Sequence, residues 1–123
     1  LVVDDDADSR EVAARLLEGT GAQVLTASGA QEGLTLLRTR RPDVLIADIG
    51  MPGMDGYALI KAVRQLATHE GADTPAAAMT ALAREEDRRR ALDAGYLAHL
   101  AKPVSRDALV AIVSRLHQPP RPA

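Results

Sequence analysis

The chain has 123 residues, enough for one domain with a real core, and it has no Cys, Trp or Phe, which excludes disulfides and thiolate metal sites and leaves the packing to aliphatic side chains. Fifteen basic and 17 acidic residues give a formal charge of −2, so net charge offers no basis for binding nucleic acid or an anionic membrane. No apolar run approaches the roughly 20 residues of a membrane span and no signal-peptide pattern is present, which reads as a soluble, cytoplasmic domain, while the start at Leu1 inside an apolar run reads as a piece of a longer chain.

Strand-length apolar segments alternate with stretches of helical period, the pattern of βα units around a parallel sheet in a doubly wound α/β fold. The first strand is "LVV", and a helix is expected from about Asp8, where Asp8 and Glu11 have capping-box spacing ahead of Val12, Ala13, Leu16 and Leu17 as inward residues. "QVLTA" reads as the second strand, and the second helix starts at Ser28 with Leu34 and Leu37 on one face. "DVLIAD" is the third strand. Asp55 can cap a third helix with Leu59, Ile60, Val63 and Leu66 inward, and "THEGADTP" is a polar connection to the fourth strand, "AAAMT". The fourth helix, "REEDRRRALDAG", is short of apolar residues and reads as an exposed element whose arginines face solvent. "YLAHLA" is the fifth strand, Ser105 can cap a last helix carrying Leu109, Ile112, Val113 and Leu116 inward, and "QPPRPA" reads as a tail, giving a domain over 1–117 and a tail or linker over 118–123.

In an open parallel sheet, ligands bind at the carboxyl ends of the strands. The residues collected there are Asp4, Asp5 and Asp6 after the first strand, Asp48 after the third, Thr80 after the fourth and Lys102 after the fifth. Carboxylates brought together repel one another, and a hard divalent cation with oxygen ligands is the simplest compensation, with Mg²⁺ the natural choice and Mn²⁺ a substitute. Lys102 adds a positive charge able to pair with Asp48 at rest and with a phosphoryl oxygen later.

This ordered set resembles the receiver domains of two-component response regulators, across almost all of residues 1 to 118. The resemblance implies a five-stranded (βα)5 flavodoxin-like fold with strand order 2-1-3-4-5. It also implies that Asp48 is the phosphoacceptor, Thr80 the switch hydroxyl and Lys102 the lysine that precedes a proline. By the same likeness Mg²⁺ is held by Asp5, Asp48 and the backbone carbonyl of Gly50, with Asp4 acting through water. The implied partner is a histidine kinase or a histidine phosphotransfer domain, with no direct contact to nucleic acid or membrane. Such a domain catalyses its own aspartyl phosphorylation and dephosphorylation, but serves mainly as a timed switch in two-component or phosphorelay signalling.

Each signal also has a plainer meaning. Asp runs after strands are commonly turns or caps, which suits Asp6 and Asp8, and Lys-Pro pairs are widespread; the weight lies in the ordered combination. The chain departs from the family habit at His99, where an aromatic usually swings inward; a histidine in "AHLAKPV" is similar to receivers attached to hybrid histidine kinases. His99 is read as a switch residue at a partner face. Two rival functions stand beside this one: an Mg-dependent phosphatase of the haloacid dehalogenase type, using the Asp-x-Asp spacing inside "DDD", and a receiver-like module that binds partners without being phosphorylated.

Overall fold

The structure, a computed structural model, describes residues 1–81 and 84–117. The tail expected at 118–123 lies outside the described residues.

Five parallel strands, β1 (Val2–Val3), β2 (Thr26–Ala27), β3 (Leu45–Asp48), β4 (Ala76–Thr80) and β5 (Ala98–Ala101), form one sheet in the order β2-β1-β3-β4-β5. Between and after them run helices α1 (Ala7–Glu18), α2 (Ala30–Arg40), α3 (Gly56–Arg64), α4 (Glu85–Ala94) and α5 (Arg106–Leu116), with a short 3-10 turn at Thr68–Glu70. This is the doubly wound, flavodoxin-like order expected from the sequence. Among the described residues no helix is long and apolar enough to cross a membrane.

Strand side chains alternate between the two faces, so one run of residues feeds two cores. Val3, Leu45, Ala47, Ala76 and Ala78 pack with Leu37 of α2, Leu59, Ile60 and Val63 of α3, and Ala91 of α4. Val2, Ile46, Ala77, Met79 and Leu100 pack with Ala13 and Leu17 of α1 and Leu109 of α5 on the other face. Burying each large aliphatic side chain is worth about 1.5–3 kcal/mol, and β4, which contributes to both cores, does so mostly with Ala, leaving room for helices on either side.

Several local expectations shift. The N-cap of α1 is Asp6, whose carboxylate accepts the Asp8 N–H at 3.0 Å, so the helix begins before Asp8, and Glu11 pairs with exposed Arg15 instead of closing a capping box. Of the three aspartates that follow β1, the last takes the cap, while both oxygens of the first are engaged by the Asp6 N–H and Lys102. Val12 is 51% exposed; the buried stripe of α1 is Ala13, Ala14 and Leu17. Helix α2 is capped at Gly29 without a side-chain bond, and Ser28 donates to Glu32. The aliphatic core expected from composition also misses a member: Tyr96, 2% exposed, is the largest of the fully buried side chains.

Candidate acidic site at the carboxyl ends of the strands

Asp4 follows β1 directly, its N–H donating to the Ala27 carbonyl of β2 at 3.1 Å, and it is fully buried. Such a burial is tolerable only with its charge answered. One carboxylate oxygen accepts the Asp6 N–H at 3.0 Å, and the other accepts the Lys102 ammonium at 2.9 Å. Asp48 ends β3 and is 7% exposed; its Oδ1 lies 3.4 Å from the same Lys102 Nζ. Lys102 therefore pairs with Asp48, as the sequence suggested, but is shared, and its closer contact is with Asp4.

The charges set one another's protonation. Burial raises the Asp48 carboxyl above its ordinary value; Lys102 opposes this, Asp4 adds to it, and a hydrogen bond from the Gly50 N–H opposes it again. Burial works against the Lys102 ammonium, yet the hydrogen bond to Asp4 and the charge of Asp48 outweigh it and hold the ammonium above its ordinary value. Asp5 is exposed at the mouth of the site. Asp4, Asp5 and Asp48 each offer a carboxylate oxygen, all within 4.8 Å of one another. An all-oxygen set of this size, rich in charge, fits a hard divalent cation such as Mg²⁺.

The remaining candidates are brought to the same sheet edge in different degrees. Thr80 ends β4, one position beyond the residue paired with Asp48, is half-buried, and accepts the Lys102 N–H on its carbonyl at 2.8 Å. Gly50 is exposed in the loop after β3. His99 lies back along β5, opposite Ala78. It is half-buried on the side of α4, and its Nε2 is buried without a hydrogen-bond partner among the described residues. Burial lowers its pKa, with Asp87 opposing and Arg88 assisting. Asp6 and Asp8 stand outside the cluster, Asp6 as the cap of α1.

Sequence reasoning missed two residues that hold the site from behind. Arg10, on the first turns of α1, donates to the Asp4 carbonyl at 2.8 Å. Tyr96, just before β5, donates its hydroxyl to the Gly56 carbonyl at 2.7 Å. Arg10 is the first basic residue after the aspartate run, a signal the sequence does carry; a lone tyrosine after a glycine carries none.

Known proteins match this arrangement along nearly the whole chain. The sequence model of the response regulator receiver domain matches residues 1–114. An uncharacterized 14.6 kDa protein of Leptolyngbya boryana is 46% identical over 94% of this chain and 86% of its own length. Sensor histidine kinase RcsC of Salmonella typhi is 38% identical over 89% of this chain, which spans only 11% of that kinase. Among solved structures, chemotaxis protein CheY4 of Vibrio cholerae superposes with a TM-score of 0.85 at 30% identity, over 94% of each chain.

Proposed function

The chain belongs to the response regulator receiver domain family, and from that premise we propose that it accepts a phosphoryl group on Asp48 from a phosphohistidine, in a reaction that depends on Mg²⁺. The observation that carries this reading is the convergence of Asp4, Asp5 and Asp48 oxygens within 4.8 Å, with Lys102 bonded to Asp4 and 3.4 Å from Asp48.

In this reading Asp5, Asp48 and the Gly50 carbonyl hold the cation. Asp4, already engaged by the Asp6 N–H and Lys102, suits an indirect role through water. The bound cation supplies positive charge against the phosphoryl oxygens. An Asp48 carboxylate oxygen then attacks phosphorus in line with the donor; a P–O bond forms as the P–N bond to the donor imidazole breaks, and the imidazole leaves with the bonding pair. Lys102 turns from its carboxylates to a phosphoryl oxygen, so one ammonium serves both the resting and the loaded state. The Thr80 hydroxyl reports the new group by hydrogen bonding, and His99, on the edge strand that leads into Lys102, is the second switch residue facing a partner. Later attack by water restores the carboxylate. The donor is a histidine kinase or histidine phosphotransfer domain, and the setting is cytoplasmic.

The phosphatase alternative relies on the second aspartate of Asp-x-Asp, and here that residue, Asp6, is occupied by the Asp8 N–H and the Ser9 hydroxyl at the start of α1. Incubation with acetyl phosphate, with and without Mg²⁺, tests the proposal by intact mass. One phosphoryl addition only with the metal is expected; uptake undiminished by a chelator would sink the metal requirement, and no uptake at all would favour the interaction-only alternative.

A further inference from the structure

After Asp48 the chain turns through its loop and comes back against itself at Gly56. A Cβ at Gly56 would lie 2.6 Å from the Asp48 carbonyl oxygen and 2.7 Å from the Ile49 Cα, so the start of α3 is pressed onto the backbone of the phosphoacceptor. The Gly56 N–H donates to the Ile49 carbonyl at 3.0 Å, and the Gly56 carbonyl accepts the Tyr96 hydroxyl at 2.7 Å, a bond between residues 40 apart in sequence.

That hydroxyl is delivered from an anchored backbone. The Tyr96 N–H donates to the Ala91 carbonyl at 3.1 Å. The Gly95 carbonyl beside it accepts two bonds from Arg64, at 3.2 and 2.8 Å, while the third nitrogen of Arg64 reaches the Ala72 and Thr74 carbonyls at 2.8 and 2.7 Å. Burial raises the Tyr96 phenol well above its ordinary value, so it remains a neutral donor at any physiological pH. A buried hydroxyl needs a partner, yet many carbonyls could serve; this one belongs to the residue that braces Asp48.

We propose that Tyr96 is a positioning residue for the acidic site: its hydroxyl fixes the Gly56 carbonyl, Gly56 holds the Asp48–Ile49 backbone, and the carboxylate of Asp48 is thereby set for a divalent cation and a phosphoryl donor without prior reordering. The inference rests on the phosphoacceptor reading of Asp48 and adds to it a residue that touches neither the cation nor the phosphoryl group.

Tyr96→Phe removes only the oxygen, and Thr74→Val is its control. The Thr74 hydroxyl is also buried and bonded to a glycine carbonyl, that of Gly71 at 2.8 Å, but at the opposite end of the sheet. Melting temperature, Mg²⁺ affinity without phosphodonor and the rate of uptake from acetyl phosphate are measured for both variants and the unaltered chain. Tyr96→Phe is expected to lower Mg²⁺ affinity and uptake roughly three- to tenfold, whereas Thr74→Val melts lower but binds and reacts normally. Unchanged binding and uptake in Tyr96→Phe, or equal losses in both variants, would overturn the proposal. A third measurement holds even if Tyr96→Phe does not fold: in the unaltered chain Mg²⁺ should move the Gly56 carbonyl carbon resonance, and a resonance that stays still while Mg²⁺ binds also overturns it. An unaltered chain that neither binds Mg²⁺ nor takes up phosphoryl would instead bring down the phosphoacceptor reading, and this inference with it.

Discussion

Asp4 and Asp5 are neighbours in sequence with opposite fates. Asp4 is buried and bonded on both oxygens, while Asp5 is exposed, because successive residues leaving a strand point to opposite sides. A cation entering from solvent meets Asp5 first. Asp5→Asn should therefore weaken Mg²⁺ binding clearly more than Asp6→Asn, in which the asparagine still caps α1 and only a charge outside the cluster is lost; titration followed by amide shifts measures both, and equal losses would assign the metal to the wrong member of the run. At His99 the sign of a pH effect follows from the lowered folded pKa, caused first by burial. The unfolded chain then binds the proton more readily, so the stability linked to His99 is present above the ordinary value of about 6.5 and is lost as pH falls from there through the folded value. Urea midpoints should fall more steeply between about pH 7 and 5 for the unaltered chain than for His99→Phe, and parallel curves would contradict this. The positions of Asp4, Asp5, Asp48, Thr80 and Lys102 were legible in the sequence because strand ends are legible. Their pairing was not: the choice of Asp4 over Asp48 by Lys102 depends on distances of half an ångström, which no spacing rule carries.

Helices differ in how firmly they are held. Helix α3 buries Tyr57, Leu59, Ile60 and Val63 and is capped by the Asp55 carboxylate, which accepts the Ala58 N–H at 2.9 Å. Helix α4 buries only Ala91 and adds exposed ion pairs, Arg84 with Asp87 and Arg88 with Glu85, of the kind worth under about 1 kcal/mol each. A further tie is the Arg90 guanidinium 4.0 Å from the centre of the Tyr57 ring, a contact hidden in a triple-arginine run that read as solvated. Amides of Glu85–Ala94 should thus exchange faster than those of Gly56–Arg64, and comparable protection in the two helices would show that α4 is held by more than these contacts. The exposed character of α4 was legible because eight of the twelve residues in "REEDRRRALDAG" are charged and only Leu92 has a large apolar side chain to bury. Strand β4 was legible to the residue, whereas Ser28 and Asp8 misled, since capping residues are common and only the geometry of the turn decides which one caps.

On the scale of the whole molecule, the sheet divides the labour between its two ends and its two faces. The cores made by α1 and α5 on one side and α2, α3 and α4 on the other leave the carboxyl edge free to gather charge. The fold was readable because alternating strand and helix periods admit few arrangements, and its topology follows once the family resemblance is recognised. The long-range ties at the edge, Lys102 to Asp4 across 98 residues and Tyr96 to Gly56 across 40, are what convert that topology into a site. On the proposed function, this site takes a phosphoryl group onto Asp48 and onto no other carboxylate. Peptide mapping by mass spectrometry after incubation with acetyl phosphate and Mg²⁺, on the unaltered chain and on Asp48→Asn, tests it most directly. A single adduct on Asp48 that vanishes in the variant is expected; an adduct that persists in Asp48→Asn, on Asp4, Asp5 or Asp6, would contradict the account.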